Sequence, residues 1–239
     1  MGWQDDALVT GKPKWESDPI VSVVPSAKPA THGVPKIDIQ PGVAVPTIIA
    51  PSANPYSAGR YPLGRVYTVG DEATFRQSDI LTGIEERTYK ARVTRVDYDQ
   101  DRVEFNHGNT ITDLMGNNIK AGPVEFDAPV QFTPTEFQVG KKWTAAFRRT
   151  QNGKTTSAYY DLQIIKRETI SVPAGSFDTF RIEGNGWNTS AGARLELIIW
   201  LVPGLNFAIK RELVTHNKRG KYKQTERHEL VSLRQQTID

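Results

Sequence analysis

The chain holds four histidines, His32, His107, His216 and His228, the side chains best suited to proton transfer or metal ligation near neutral pH. A zinc site of the metalloprotease kind needs two histidines four residues apart on one helix face with a glutamate between them. No HExxH or HxH occurs, and His228-Glu229 lacks the second histidine. Serine-hydrolase chemistry needs a nucleophile on a strained GxSxG elbow, and Ala174-Gly175-Ser176-Phe177-Asp178 breaks that pattern. Gly184-Asn185-Gly186 reads as a turn between strands with no helix behind it, so it cannot cradle a phosphate. Cysteine is absent, which removes a disulfide framework, a thiolate metal site and a cysteine nucleophile together. The expectation is therefore a protein with no catalytic residues, no metal and no cofactor.

Two charged clusters remain. Asp97, Asp99 and Asp101 alternate as in calcium loops, but neither the turning glycine nor the distal glutamate of an EF-hand is present. An acidic hairpin tip between Val96 and Val103 is the plainer reading. Lys218, Arg219, Lys221 and Lys223 surround Tyr222 in a basic hairpin. It is either a solvated turn or a contact for an anionic surface, such as lipid headgroups or an acidic partner. Nucleic acid would require more interleaved aromatics and a wider basic face. The whole chain carries thirty Lys and Arg against twenty-seven Asp and Glu, so no global field favours it.

Any such site must be positioned by two unlike regions. Nine of the fifteen prolines fall in residues 1–60, at Pro13, Pro19, Pro25, Pro29, Pro35, Pro41, Pro46, Pro51 and Pro55. Each fixes φ, removes a donor and pushes its predecessor out of the α region. The spacing excludes a helix and a continuous ladder strand, and predicts polyproline II with short extended pieces. Stretched at about 3.1 Å per residue, such an arm reaches on the order of 180 Å. It also holds Trp3, Trp15 and the aliphatic runs around Val23-Val24 and Ile48-Ile49, which bland linkers avoid. One reading is a flexible tether. The other is a docking arm in which Trp3, Trp15, Val23, Val24, Ile48 and Ile49 bind a partner.

From Arg65 onward the period is two. Tyr89, Ala91 and Val93 alternate with Lys90, Arg92 and Thr94, and Tyr160, Leu162 and Ile164 with Asp161 and Gln163. Phe180 and Ile182 alternate with Arg181 and Glu183. Phe207, Ile209, Arg211 and Leu213 alternate with Ala208, Lys210 and Glu212. Turn residues between these runs, among them Asn152-Gly153, Pro173-Ala174-Gly175, Asn185-Gly186 and Pro203-Gly204, give roughly ten or eleven strands joined by hairpins. No helix is predicted, and Asn109 to Lys120 is the expected irregular stretch. The fold class is all-β: an antiparallel meander forming one or two curved open sheets, half-barrel in form, behind an extended Pro-rich arm.

A weak internal repeat lays Val69-Gly70, Phe75, Tyr89, Val93 and Val103-Glu104-Phe105 over Val139-Gly140, Phe147, Tyr160, Ile164 and Phe180-Arg181-Ile182, at offsets of 70 to 77 residues. The predicted organisation is an arm over residues 1–60, a first sheet unit over 61–137 and a second over 138–239, parting near Thr135-Glu136.

The C-terminal half carries Val172-Pro173-Ala174-Gly175-Ser176-Phe177-Asp178-Thr179-Phe180-Arg181-Ile182-Glu183, then Trp200-Leu201-Val202-Pro203-Gly204-Leu205, then Ile209-Lys210-Arg211-Glu212. Over residues 139–235 this resembles a broad group of bacterial envelope proteins with an open, curved β-sheet related to the periplasmic lipoprotein carriers. Their marks are a "VPAGxFd" turn, an aromatic strand ending in "aPG" and a strand with a basic-acidic pair. The resemblance implies structural roles for these residues, with Trp200 in the core, and brings no active site. This chain departs from it at Asn206, where a glycine often stands.

No run of about eighteen apolar residues, the length of a membrane-spanning helix, is present. The N-terminus lacks the basic start and apolar stretch of a signal peptide. An arm rich in proline, alanine, serine and valine suits the tether of a bacterial lipoprotein, whose lipid-bearing cysteine would precede residue 1. The expected function is a non-catalytic accessory or structural subunit in the periplasm or cell envelope. It would dock onto protein partners in a larger assembly through arm and body, without binding nucleic acid. The alternative is a carrier of an apolar ligand or lipid in the curved sheet.

Overall fold

The computed structural model describes residues 36–41 and 61–236, and every regular element within them is a strand. In chain order they are β1 (Lys36–Ile39), β2 (Tyr61–Pro62), β3 (Glu72–Asp79), β4 (Glu85–Asp97), β5 (Arg102–Phe105), β6 (Thr110–Thr112), β7 (Asn118–Ala121) and β8 (Val124–Phe126). Then follow β9 (Glu136–Phe137), β10 (Lys142–Gln151), β11 (Lys154–Val172), β12 (Gly175–Asn188), β13 (Ala193–Leu201), β14 (Lys210–His216) and β15 (Tyr222–Gln236). The excess over the expected ten or eleven comes from very short strands. These are β6 and β7 inside the stretch expected to be irregular, and the two-residue pair β2 and β9.

Thirteen strands form one antiparallel sheet, in the order β1-β15-β14-β13-β12-β11-β10-β8-β7-β6-β5-β4-β3. It does not stay open. β15 pairs with β14 over Tyr222–Glu229 on one edge and with β3 over Glu226–Arg234 on the other. Leaving β1 aside, the remaining twelve strands of that order close on themselves as a barrel. The expected open half-barrel is therefore corrected to a closed one. Alternation has the same period in either form, and closure depends on pairing two strands about 150 residues apart, which no local pattern reports. The boundary expected near Thr135-Glu136 falls within this continuous sheet, because β8 pairs directly with β10.

Bulges shape the barrel. Register shifts follow Val93 in β4, Ile164 in β11 and Leu230 in β15, and all three side chains are fully buried. A bulge bends its strand and moves the inward set from one parity to the other. In β15 the inward-facing buried residues run His228 and Leu230 before the shift, then Leu233 and Gln235 after it. The flanking hydrogen bonds correspond as well. Val93 donates to Asp71 O (2.8 Å) and accepts from Gly70 (2.9 Å), while Ile164 donates to Lys141 O (3.0 Å) and accepts from Gly140 (2.8 Å). The hydrogen bonds beside Val69-Gly70 and Val139-Gly140 thus have the same form. Leu230 donates to Ile209 O (2.9 Å) and accepts from Ala174 (3.0 Å), which brings the Pro173-Ala174 turn against β15. Beyond that point on the same edge, β1 pairs with Leu233–Gln236 and buries Ile39. Four residues of the expected arm therefore belong to the sheet, one of the short extended pieces that proline spacing permits.

Turn chemistry follows the residues. Asn152 and Gly153, both at positive φ (50° and 73°), form the two-residue loop between β10 and β11, whose twist suits a hairpin. Asn185-Gly186, expected as a turn, instead lies within β12. Gly186 stands there because a Cβ would strike the Tyr159 carbonyl of β11, and one at Gly184 would come within 2.7 Å of Leu162 Cδ2. Trp200 is buried, yet on the barrel's outer face. Arg181 and Lys210 lie over its ring at 5.5 and 4.9 Å, and its indole N–H donates to Glu168 (3.0 Å). Its expected place in the core is corrected accordingly: Ile199 and Leu201 face in, so Trp200 between them faces out.

Gly186→Ala should lower the unfolding free energy by about 2 kcal/mol or more in urea titrations, because the neighbouring backbone has no rotamer with which to yield. A loss of only a few tenths would show that the two strands can part freely here.

Candidate functional site

Directly paired residues share a face, so the registers trace rows around the barrel wall. One row takes Ile164, Ile182 and Ile199 from β11, β12 and β13 and continues through Arg211, His228, Gln77 and Arg87 on β14, β15, β3 and β4. Ile164 and Ile182 are fully buried, so this face is the interior, and Arg211 and His228 project into it. The next row toward the hairpin tips runs Leu162, Gly184, Leu197, Leu213 and Glu226. The lumen thus has an apolar wall on β11 to β13 and a polar wall on β14, β15, β3 and β4.

Its two ends differ. At the lower end Val93, Val103, Leu205, Ile209 and Leu230 are fully buried. The loops around Leu63–Tyr67 and Val202–Phe207 close it over a polar knot. Asn206 Nδ2 donates to Val66 O (2.7 Å) and Asp71 (2.9 Å), and its backbone N–H donates to Gln235 Oε1 (2.8 Å). Burial pushes the Asp71 carboxyl up, opposed by donors from Gln236, Thr68 and Asn206. Asn206 thus ties these two loops to β15 and Asp71. At the hairpin-tip end, Arg211, Leu213, Thr215 and Gln224 face inward yet are only partly buried. Solvent therefore reaches the lumen from that side. Eight strands already enclose enough width for packed side chains or one small ligand, and twelve enclose more.

The polar wall is wired. Tyr89 donates its hydroxyl proton to His228 Nδ1 (2.9 Å), and His228 Nε2–H faces Glu226 (3.3 Å). This assigns the neutral tautomer, in keeping with a ring pKa pulled down chiefly by burial. Glu226 is held low first by its bond to His228, and Tyr89 is raised by burial. Arg87 Nε donates to Gln77 Oε1 (2.8 Å) and its guanidinium lies over the Tyr89 ring at 5.2 Å. Across the lumen, burial pushes Tyr160 up to about 12. Arg211 is close enough to bias the ionisation of Tyr89, Tyr160, Glu226 and His228. Among the described residues no carboxylate lies within salt-bridge distance of it.

Of the residues singled out by sequence, Trp3, Trp15, Val23, Val24, Ile48 and Ile49 lie outside the described residues, as does most of the expected arm. Lys218, Arg219, Lys221 and Lys223 lie in the exposed hairpin joining β14 and β15, whose turn is tied by Asn217 Oδ1 accepting from Arg219 (2.8 Å) and Lys221 (3.2 Å). The aspartates cap the β4–β5 tip: Asp97 accepts from Gln100 (3.0 Å) and Asp101 from Leu114 (2.9 Å). Among the described residues no group of three His, Cys, Asp or Glu is placed to hold a metal. Ser176 bonds Ser171 across the β11–β12 hairpin (2.8 Å). The residue that sequence reasoning passed over is Arg211. Its signal was present as a basic residue on the apolar parity of Phe207, Ile209 and Leu213.

No protein-family model and no curated protein matches the chain. Among solved structures, it is similar to a protein from Bacteroides fragilis NCTC 9343, assigned as exported and described as having a YmcC-like fold. That likeness is at 13% identity and a TM-score of 0.46, covering 72% of this chain and 99% of that one. It is also similar to the hypothetical lipoprotein YmcC from Escherichia coli (K12), at 8% identity and a TM-score of 0.38, covering 67% and 83%.

Because the folded state depresses the His228 pKa, the unfolded chain binds the extra proton first on acidification. The contribution of the neutral ring is complete above its ordinary value near 6.5 and is lost as pH falls through the window below it. Arg211, Arg87 and Glu226 face the same ring. Melting temperatures from pH 7.5 down to about 5 should therefore fall more for the wild type than for His228→Gln. Parallel profiles would remove His228 from the acid response.

Proposed function

We propose that this chain is a non-catalytic binding protein of the bacterial cell envelope whose lumen carries an apolar chain or lipid. The observation that supports it is a closed twelve-strand barrel, plugged at one end, whose inward-facing Leu213 is only partly buried toward the other. Inward-facing Leu213 packs against the core yet keeps part of its surface accessible, and covering that remainder recovers a fraction of the roughly 1.5–3 kcal/mol of full burial. A ligand restores that burial. Of the two functions expected from sequence, the carrier thus draws more support from the geometry than the docking subunit does.

A second reading, docking onto a larger envelope assembly, is favoured by the rim. Leu81 and Ile84, at the tip joining β3 and β4, are 60% and 66% exposed. The neighbouring tip is the basic hairpin, held beside it by Ile80 N–H donating to Thr225 O (3.1 Å). Apolar residues beside cations that form no salt bridge among the described residues suit an anionic surface. Arm and rim would then be the contacts of an accessory subunit, with the barrel presenting its mouth to that surface.

Organic extraction and native mass spectrometry of protein taken from the envelope fraction should recover about one acyl-chain molecule per barrel, and Leu213→Trp should reduce that occupancy with the fold intact. Wild-type barrels free of lipid would count against the carrier. For the rim, sedimentation with anionic vesicles should fall several-fold in Lys218→Glu/Lys221→Glu and at high salt, and should be absent with neutral vesicles. Equal sedimentation of the variant would remove the rim from that role.

A further inference from the structure

We infer that the lumen selects a ligand with an anionic head, a carboxylate or a phosphate monoester at the end of an acyl chain, and that Arg211 is the residue that holds the head. This deepens the carrier reading and rests on it. Arg211 comes from the middle of β14, directly paired with Ile199 on one side and His228 on the other. It therefore sits at the seam between the apolar and polar walls. A chain entering past the partly buried Leu213, which pairs with Leu197, would reach its guanidinium one row deeper, beside Ile199.

The neighbours of Arg211 are already committed, and that leaves it as the available donor. His228 spends its two ring nitrogens on Tyr89 and Glu226, and Gln77 is held between Arg87 and Glu86 (2.8 and 2.6 Å). The outward residues flanking Arg211 are paired too, with Lys210 and Arg227 both on Glu212 (3.0 and 2.8 Å). A half-buried guanidinium with no carboxylate within salt-bridge distance among the described residues, Glu226 standing farther off, carries a desolvation cost that an incoming anion offsets. Its planar fork also matches two oxygens of a carboxylate or phosphate. Arg149 is on the inward parity of Phe147 and bonds Thr156 Oγ1 at 3.5 Å, and Arg87 stands at the rim of the polar wall.

The test uses the full chain, stripped of lipid and loaded with a fluorescent anthroyloxy fatty acid. The competitors are oleate, oleyl phosphate, oleyl alcohol and inorganic phosphate, each below its micelle concentration. Oleate and oleyl phosphate should displace the probe about tenfold or more better than oleyl alcohol, and inorganic phosphate should not displace it. Arg211→Met should weaken oleate about tenfold while leaving oleyl alcohol within about twofold, and Arg211→Lys should fall between. Circular dichroism of both variants reports their folding, and the head-group comparison in the wild type stands without them. Equal displacement by oleate and oleyl alcohol would overturn the anionic head while leaving the carrier standing. Oleate affinity unchanged in Arg211→Met would overturn the role of that residue. Failure of every long-chain compound to bind would overturn the carrier reading, and with it this inference.

Discussion

One strand satisfies both of its edges, and the architecture depends on that. A long curved sheet with free edges exposes two rows of unpaired backbone groups, which water or another chain must satisfy. Here β15 takes β14 and then β1 on one side and β3 on the other, with the Ala174 amide filling the gap at Leu230. The curvature this demands is supplied locally by bulges after Val93, Ile164 and Leu230, each next to a fully buried side chain. Closure also decides what the interior can be. An open sheet has a face, whereas a ring of twelve strands has a volume that must be filled or left accessible.

The two ends of that volume resolve the problem differently. Below, loops fold inward and bring polar groups that are matched one against another around Asn206, Asp71 and Gln235. Buried polar groups are tolerable there because nearly every one has a partner, although Asn206 Oδ1 has none. Above, the wall itself supplies the polarity, and the wiring runs along strands rather than between loops. The Tyr89–His228–Glu226 chain stabilises a neutral imidazole, and Arg211 stands beside it without an ionic partner among the described residues. The contrast between a closed knot and an open, unbalanced wall distinguishes the two ends chemically.

Much of the lumen was legible in the residues once the barrel is known. The parity of Phe207, Ile209, Arg211 and Leu213 placed an arginine on an apolar face, and Asn152-Gly153 named its hairpin. The alignment of Val69-Gly70 with Val139-Gly140 found two turns whose hydrogen bonds correspond. Other readings failed for identifiable reasons. Asn185-Gly186 looked like a turn because a glycine needed for close strand approach and a glycine needed for positive φ are the same letter. Trp200 looked like core because a tryptophan covered by Arg181, Lys210 and Glu168 is as dry as one covered by leucines, and only the parity of its neighbours tells the faces apart.

By itself the sequence determined what short-range physics can determine. Period-two alternation made strands, and turn residues made hairpins. The absence of cysteine and of histidine motifs removed whole classes of chemistry. Only the tertiary structure decided that the sheet closes, which wall faces which, and that Arg211 meets Tyr89, Tyr160 and His228 in one lumen. Those facts rest on pairings between residues far apart in the chain, where the free energy lies in contacts that no local pattern encodes.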